Sequence, residues 1–271
     1  MPHRGLAALA GALLALVVAC SQPVVTTEAV YQTIRAQGST TLSPLLAELA
    51  AAYHEQTPPV SVAVDGAGTG YGLEALRTGE ADLAMASWLP GDLSPSWRAT
   101  PIARDGIAVI VHPDNPIEGL GILQLQDLFS GRTYEWEAAG AGATFGVVQP
   151  VSREEGSGTR AAFEQLAMEG QSVTPRAVVV TSSQGVVDYV ASHRDAIGYV
   201  STGYLSPGVK ALTVEREAPT PEAVRQGSYP LCRELWLVTA DPPTAAVQQF
   251  LDFVLSPAGQ TIAGRHYVAI R

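Results

Sequence analysis

Three segments of the sequence place small and hydroxyl-bearing residues directly before a predicted helix. At such a helix start, unpaired backbone N–H groups, the helix dipole and nearby hydroxyls all favour an anion. Serine and threonine are also ordinary helix caps, so one segment alone fits a cap that binds nothing. Three in one chain predict an oxyanion site. The segments are 38–41, 66–70 and 155–159.

Arg153 precedes the third of these segments, four residues before Ser157. A guanidinium is charged at every relevant pH, and its planar fork holds two oxygens at once. We therefore expect Arg153 to be the only cationic side chain that touches the anion, with an ordinary surface arginine as the alternative. Glu154 or Glu155 is expected to orient it through an ion pair or to accept a proton from the ligand. Arg160 is expected to point to solvent.

Short β-branched runs alternate with helical patterns, which predicts an α/β fold with mostly parallel sheets. Ser43 and Pro44 are predicted to cap and begin the first helix, which ends before Pro58. The predicted strands are 60–64, 82–86, 107–111, 177–181, 196–200 and 235–239. The predicted later helices are 70–77, 158–168, 184–192 and 244–255.

Two segments rich in proline and polar residues, 112–116 and about 214–230, are predicted to be crossings between two lobes. The first lobe would then be discontinuous, with 31–111 as its first part and 214–271 as the hinge return and its second part. The second lobe, 112–213, would be inserted between them. One large continuous sheet is the alternative.

The N-terminus has the pattern of an export signal. Arg4 is followed by an apolar run, 6–19, that is short for a membrane span. The run ends at Cys20 in a sequence that resembles a bacterial lipobox. We therefore expect a signal peptide at 1–19, lipidation at Cys20, a tether at 20–30 and an extracytoplasmic protein anchored to the membrane by its lipid. An ordinary signal peptide with a chance cysteine is the alternative.

Composition and spacing argue against several function classes. Sixteen basic and 26 acidic residues give a net charge of −10, the wrong sign for nucleic acid. Cys232 is expected to be a buried apolar residue. The histidines have no metal-ligand spacing, and Glu155 stands where a G-x-S-x-G elbow around Ser157 needs glycine. We therefore expect no enzyme, no cofactor and no metal, although a serine hydrolase is the rival from another class.

Several stretches of the chain match one known family, and they include GSTTLSPLL at 38–46, GAGTGYGLEALRTGEADLAMAS at 66–87, SREEGSGTRAAFE at 152–164 and YPLCRELWLVT at 229–239. Through such stretches, along nearly its whole length after the signal, the chain resembles the phosphate-binding proteins of bacterial ABC importers. This resemblance implies a two-lobed type II periplasmic-binding-protein fold that closes on inorganic phosphate and docks as a monomer on membrane permease subunits. By motif position it implies ligand-binding roles for Ser39, Thr40, Thr41, Thr69, Ser87, Arg153, Ser157, Gly158 and Thr159.

One departure from the family pattern bears on the ligand. Where some members have an aspartate that can accept a phosphate proton, this chain has Ser87 followed by Trp88. Members of the more similar branch also lack that aspartate. Two alternatives stay open: a receptor for another tetrahedral oxyanion such as sulfate or molybdate, and a surface lipoprotein that senses phosphate without transporting it.

Overall fold

The computed structural model describes residues 31–140 and 145–270, which contain twelve strands and eight helices. The first elements along the chain are β1 (Gln32–Gly38), α1 (Ser43–Gln56), β2 (Val60–Gly66), α2 (Thr69–Thr78), β3 (Leu83–Ala86) and β4 (Trp97–Val111). The middle elements are β5 (Gly119–Leu120), α3 (Ile122–Ser130), β6 (Gln149–Arg153), α4 (Gly158–Leu166), β7 (Val178–Val180), α5 (Ser183–Ser192), β8 (Ala196–Ser201), β9 (Lys210–Ala211), β10 (Thr213–Val214) and α6 (Pro221–Gln226). The last elements are β11 (Cys232–Ala240), α7 (Ala245–Val254), α8 (Pro257–His266) and β12 (Val268–Ala269).

The first lobe is a five-stranded sheet with helices on both faces. Its strand order is β2-β1-β3-β11-β4, with β12 added on β4. The first three strands are parallel, whereas β11 runs antiparallel to both of its neighbours. Apolar side chains of α1, α7 and α8 pack on one face, and α2 packs on the other. Because β1, β2 and β3 are parallel, their carboxyl ends and the loops that follow them meet at one edge.

The second lobe is built on β4, β8, β6 and β7, and β9 also pairs with β4. Alternate residues of 107–111 face opposite sides and are buried on both, which explains the unbroken apolar run there. On one side, Phe163 of α4 stacks on Tyr199 of β8, with ring centroids 4.0 Å apart. On the other side, α5 covers the strands. This packing fixes the start of α4 against the ends of β6 and β8.

The strand β4 belongs to both lobes. The crossings between the lobes therefore do not lie at 112–116 and within 214–230, where the sequence predicts them. Residues 97–106 of β4 pair with β11, whereas 107–111 pair with β8. The chain therefore enters the second lobe near Gly106, before the segment 112–116, which is a loop within that lobe. It returns near Leu231, whose carbonyl accepts from the N–H of Ile107 at 2.8 Å. The two crossings lie side by side.

Local structure follows the predicted pattern with shifts of a few residues, except that β4 begins at Trp97, well before the predicted strand 107–111. All six predicted strands and all five predicted helices are present. The prediction that Ser43 caps α1 is wrong, because Leu42 takes the cap position and the Ser43 hydroxyl instead donates to the Ser39 carbonyl oxygen at 3.2 Å. The predicted signal peptide, tether and lipidation site lie outside the described residues. Among the helices of the described part, none is long and apolar enough to cross a membrane.

Candidate functional site

The loops that follow β1 and β3, together with the start of α2, bring four buried hydroxyls together in the first lobe. The Ser39 hydroxyl donates to Ser87 Oγ at 2.9 Å, and Ser87 Oγ lies 3.4 Å from Thr69 Oγ1. The Ser87 N–H also donates to Thr69 Oγ1 at 3.1 Å. Thr41 lies two residues beyond Ser39, and its N–H donates to Ser39 Oγ at 3.2 Å. The sequence therefore places four small side chains that can each donate and accept at one edge of the sheet.

The start of α4 supplies the donors of the second lobe. Ser157 is its cap, because Ser157 Oγ accepts from the N–H of Arg160 at 3.3 Å and keeps its own proton for another acceptor. Gly158 and Thr159 are the first helical residues, so their N–H groups have no partner within the helix. Both are buried. The positive end of the α4 dipole therefore points into the same space as these groups.

The two lobes meet at these loops, so the structure is closed. Thr41 Oγ1 of the first lobe lies 3.0 Å from Thr159 Oγ1 of the second. The N–H of Gly70 donates to the carbonyl oxygen of Gly156 at 2.9 Å. Gly158 packs so tightly that a Cβ on it would lie 2.3 Å from Thr69 Oγ1. Only glycine allows this approach of α4 to the first lobe.

Arg153, at the end of β6, is 1% exposed and projects to this junction. Its Nε and Nη2 donate to the two carboxylate oxygens of Glu154, at 2.9 and 2.8 Å. Nη2 also donates to Thr40 Oγ1 of the first lobe at 3.3 Å, and Nη1 donates to Ser183 Oγ at 3.3 Å. Glu154 is thus the residue that orients Arg153, whereas Glu155 is exposed. The alternative of a surface arginine is excluded.

The expectation that Arg160 points to solvent is wrong. Its side chain pairs with Glu164 and donates to the carbonyl oxygen of Arg153 at 3.2 Å. Tyr199 supports Arg153 from the other side, because its hydroxyl oxygen accepts from the Arg153 N–H at 3.4 Å. Burial raises the pKa of Tyr199 to about 12, so this hydroxyl stays protonated. Both contacts fix the backbone at the end of β6.

Arg233 and Asp105 form a buried ion pair in the same cluster, and no sequence motif indicated it. Arg233 Nη2 lies 2.8 Å from Asp105 Oδ2, and Arg233 also donates to Thr41 and Thr159. A second guanidinium therefore lies at this junction beside Arg153, which we expect to be the only cationic side chain that touches the anion. Both residues lie just before the apolar runs 107–111 and 235–239, so neither was recognised as part of a strand. Ser183 was also missed, although it opens α5 directly after β7, as in the three predicted segments.

Two tyrosines fix the loop that carries Thr40 and Thr41. The Tyr204 hydroxyl donates to the carbonyl oxygen of Thr40, and the Tyr267 hydroxyl donates to that of Thr41, both at 2.6 Å. Burial raises the pKa of both tyrosines, so both hydroxyls remain donors at neutral pH. The two carbonyl oxygens are therefore occupied, and the loop presents its hydroxyls to the junction.

All nine residues predicted to bind the ligand lie at this junction of the two lobes. Hydroxyls of the two lobes lie within hydrogen-bond distance of one another there, and two guanidinium groups lie among them, each paired with a carboxylate. Within the described residues, no group of three His, Cys, Asp or Glu side chains is placed to hold a metal. The nine residues are Ser39, Thr40, Thr41, Thr69, Ser87, Arg153, Ser157, Gly158 and Thr159.

Comparison with known proteins assigns the family. A family model described as the PBP superfamily domain matches residues 23–258. The chain belongs to this superfamily. The phosphate-binding protein PstS of Bacillus subtilis is similar to it, with 28% identity over 81% of this chain and 74% of the relative. A PstS of Pseudomonas aeruginosa is also 28% identical, over 83% of this chain and 79% of its own.

Two solved structures that are similar to this chain confirm the two-lobed type II periplasmic-binding-protein fold. A phosphate ABC transporter substrate-binding protein with bound phosphate, from Clostridium perfringens, has a TM-score of 0.83 and 31% identity over 88% of this chain and all of its own. An ABC-type phosphate transport receptor from Vibrio cholerae has a TM-score of 0.75 and 28% identity over the same shares. The family resemblance seen in the sequence motifs is thereby confirmed.

Proposed function

We propose that this protein is a solute-binding protein that captures inorganic phosphate outside the cytoplasm and delivers it to the permease subunits of an ABC importer. The observation that carries the proposal is the junction itself, where hydroxyls and helix N-termini of both lobes converge within hydrogen-bond distance of one another. Such neutral donors hold a dehydrated oxyanion without a large excess of positive charge. The names of the similar proteins support phosphate as that oxyanion.

The Ser39, Thr69 and Ser87 hydroxyls can accommodate a protonated phosphate as well as a fully ionised anion. Near neutral pH phosphate carries a proton that needs an acceptor, whereas sulfate carries none. A hydroxyl oxygen can serve as that acceptor or as a donor, so this trio can adapt to a protonated ligand without the aspartate that some relatives have at this place. The same adaptability allows these hydroxyls to donate to sulfate.

Calorimetry on the chain from Ser21 onward tests the proposal with phosphate, sulfate and molybdate. We expect phosphate to bind at least about tenfold more tightly than sulfate, because one satisfied or unsatisfied buried hydrogen bond changes the binding free energy by about 1 to 3 kcal/mol. If sulfate or molybdate binds more tightly than phosphate, the protein is a receptor for that tetrahedral oxyanion and not for phosphate. Binding of none of the three would contradict an oxyanion receptor.

Phosphate is expected to shift the lobes to the closed arrangement. Donors from both lobes reach one anion only when the cleft is shut, and the crossings near Gly106 and Leu231 are short enough to act as hinges. Small-angle X-ray scattering should therefore report a smaller radius of gyration with phosphate than without it. An unchanged radius at saturating phosphate would contradict ligand-driven closure.

We propose that Cys20 is the mature N-terminus and carries the lipid that anchors the protein outside the cell membrane. Support comes from the apolar run that ends at Ala19 and from the lipobox-like residues before the cysteine. Mass spectrometry of the protein purified from its native host should find acyl chains on Cys20 and no residue before it. A free Cys20 thiol, or a mature chain that begins elsewhere, would overturn this part of the proposal.

A further inference from the structure

The buried ion pair of Arg233 and Asp105 lies where the chain crosses between the lobes. The two residues are directly opposite each other on β11 and β4. Arg233 donates from Nε and Nη2 to Asp105 Oδ2, at 3.0 and 2.8 Å, and both side chains are at most 1% exposed. Because both partners are on the crossing strands, lobe opening leaves this pair intact.

Asp105 has no capacity left for a ligand. Its second oxygen, Oδ1, accepts from Ser201 Oγ at 2.9 Å and from the N–H and hydroxyl of Thr202 at 3.2 and 3.0 Å. Each carboxylate oxygen thus already accepts two or three hydrogen bonds. Asp105 therefore fixes the guanidinium of Arg233 in one orientation.

The other side of the guanidinium faces the threonines of the junction. Arg233 Nη1 donates to Thr159 Oγ1 at 3.0 Å, and Nη2 donates to Thr41 Oγ1 at 3.4 Å. A hydroxyl has one proton and two lone pairs, and Arg233 has donors only. A threonine oxygen that accepts from Arg233 must therefore direct its proton to another acceptor. Thr41 Oγ1 and Thr159 Oγ1 also lie 3.0 Å apart, so one hydroxyl donates to the other, and the second keeps its proton for a further acceptor.

We propose that Arg233, held by Asp105, is a positioning residue that makes the hydrogen-bonded pair of Thr41 and Thr159 a hydroxyl donor to the bound anion. This inference rests on the proposed phosphate site. Thr41 belongs to the first lobe and Thr159 to the second, so Arg233 reaches both only in the closed state. The guanidinium thereby strengthens anion binding through two hydroxyls of different lobes and couples it to closure.

Replacing both residues of the pair with neutral side chains tests the proposal, because neither charge is then left buried without its partner. The double variant Asp105→Asn/Arg233→Gln should bind inorganic phosphate about tenfold more weakly than the wild type in calorimetry, the loss of roughly one hydrogen bond. The matched control is Arg98→Gln/Asp241→Asn, an exposed pair at the other end of β4 and β11, which should leave affinity unchanged. Circular dichroism and thermal unfolding establish that each variant is folded.

A double-mutant cycle separates positioning from a purely structural role. Thr159→Val should weaken phosphate binding about tenfold in the wild type but less than about threefold in the Asp105→Asn/Arg233→Gln background, because the hydroxyl is no longer held as a donor there. Arg233→Lys keeps the charge of the pair and serves if the double variant does not fold. It should bind several-fold more weakly, since one ammonium cannot replace the planar fork.

The outcomes distinguish this inference from the proposed function. If the wild type binds phosphate and the Arg233 variants bind it equally well, or if Thr159→Val has the same effect in both backgrounds, the positioning role is wrong and the phosphate receptor stands. If the wild type binds no phosphate, the proposed function fails and the inference fails with it. Weaker binding with a reduced Thr159→Val effect supports both.

Discussion

Replacing Gly158 with alanine is expected to weaken phosphate binding about 10- to 100-fold while leaving both lobes folded. The added methyl carbon would lie 2.3 Å from Thr69 Oγ1 and 2.6 Å from Ser87 Oγ, far inside van der Waals contact. Both atoms belong to the first lobe, so the clash exists only when the cleft is closed. Overpacking of this kind costs about 1 to 3 kcal/mol. It destabilises the closed, ligand-bound state by that amount and therefore weakens phosphate binding.

The open protein should tolerate the same substitution. Gly158 has no left-handed backbone conformation, and it is the first residue of α4, where alanine is accepted well. Calorimetry with phosphate measures the loss, and scattering should show that the variant keeps the larger, open radius at a phosphate concentration that just saturates the wild type. Gly264→Ala in α8 is the matched control, because its Cβ meets nothing within 4 Å. Wild-type affinity in Gly158→Ala would contradict the close approach of α4 to the first lobe.

Replacing Arg153 with alanine is expected to weaken phosphate binding by about one to two decades in dissociation constant. A hydrogen bond that involves a charged group contributes about 1.5 to 3 kcal/mol, and Arg153 is buried at the junction with its Nη atoms directed at Thr40 and Ser183. The change also leaves the carboxylate of Glu154 without its partner, and that negative charge then repels the anion.

Two further variants define what Arg153 contributes. Arg153→Lys should recover part of the loss, because an ammonium keeps the charge but cannot hold Glu154 and the anion with a planar fork. Arg132→Ala is the matched control in the same lobe, since Arg132 pairs with Asp127 at the surface. Arg160 is unsuitable as a control because it contacts the Arg153 carbonyl oxygen. Unchanged phosphate affinity in Arg153→Ala would place the anion elsewhere.

The parts of the fold and site that depend on local patterns could be predicted from the sequence. A strand followed by small hydroxyl residues and then a helix is a local signal, and it identified the segments at 38–41, 66–70 and 155–159. The sequence of Thr181, Ser182 and Ser183 before α5 has the same form and could have been included. Burial of these hydroxyls follows from the parallel strands that bring the loops to one edge.

The parts that were missed depend on contacts between distant residues. The first half of β4 contains Pro101 and several polar residues, and only its pairing with β11 makes it a strand. The apolar run 107–111 therefore looked like a complete strand, and the crossing was expected after it. Asp105 and Arg233 are 128 residues apart, so neither residue alone indicated a buried pair. Charge complementarity between two strands is visible only once their register is known.

The pairing of both guanidinium groups with carboxylates has a kinetic consequence. Arg153 is neutralised by Glu154 and Arg233 by Asp105, while the whole chain has a formal net charge of −10. An approaching phosphate ion is therefore repelled by the body of the protein and is not steered towards the cleft. Added salt screens this repulsion over about 8 to 10 Å at moderate ionic strength. The association rate of phosphate should consequently rise with ionic strength, the reverse of a receptor that attracts its anion with exposed positive charge.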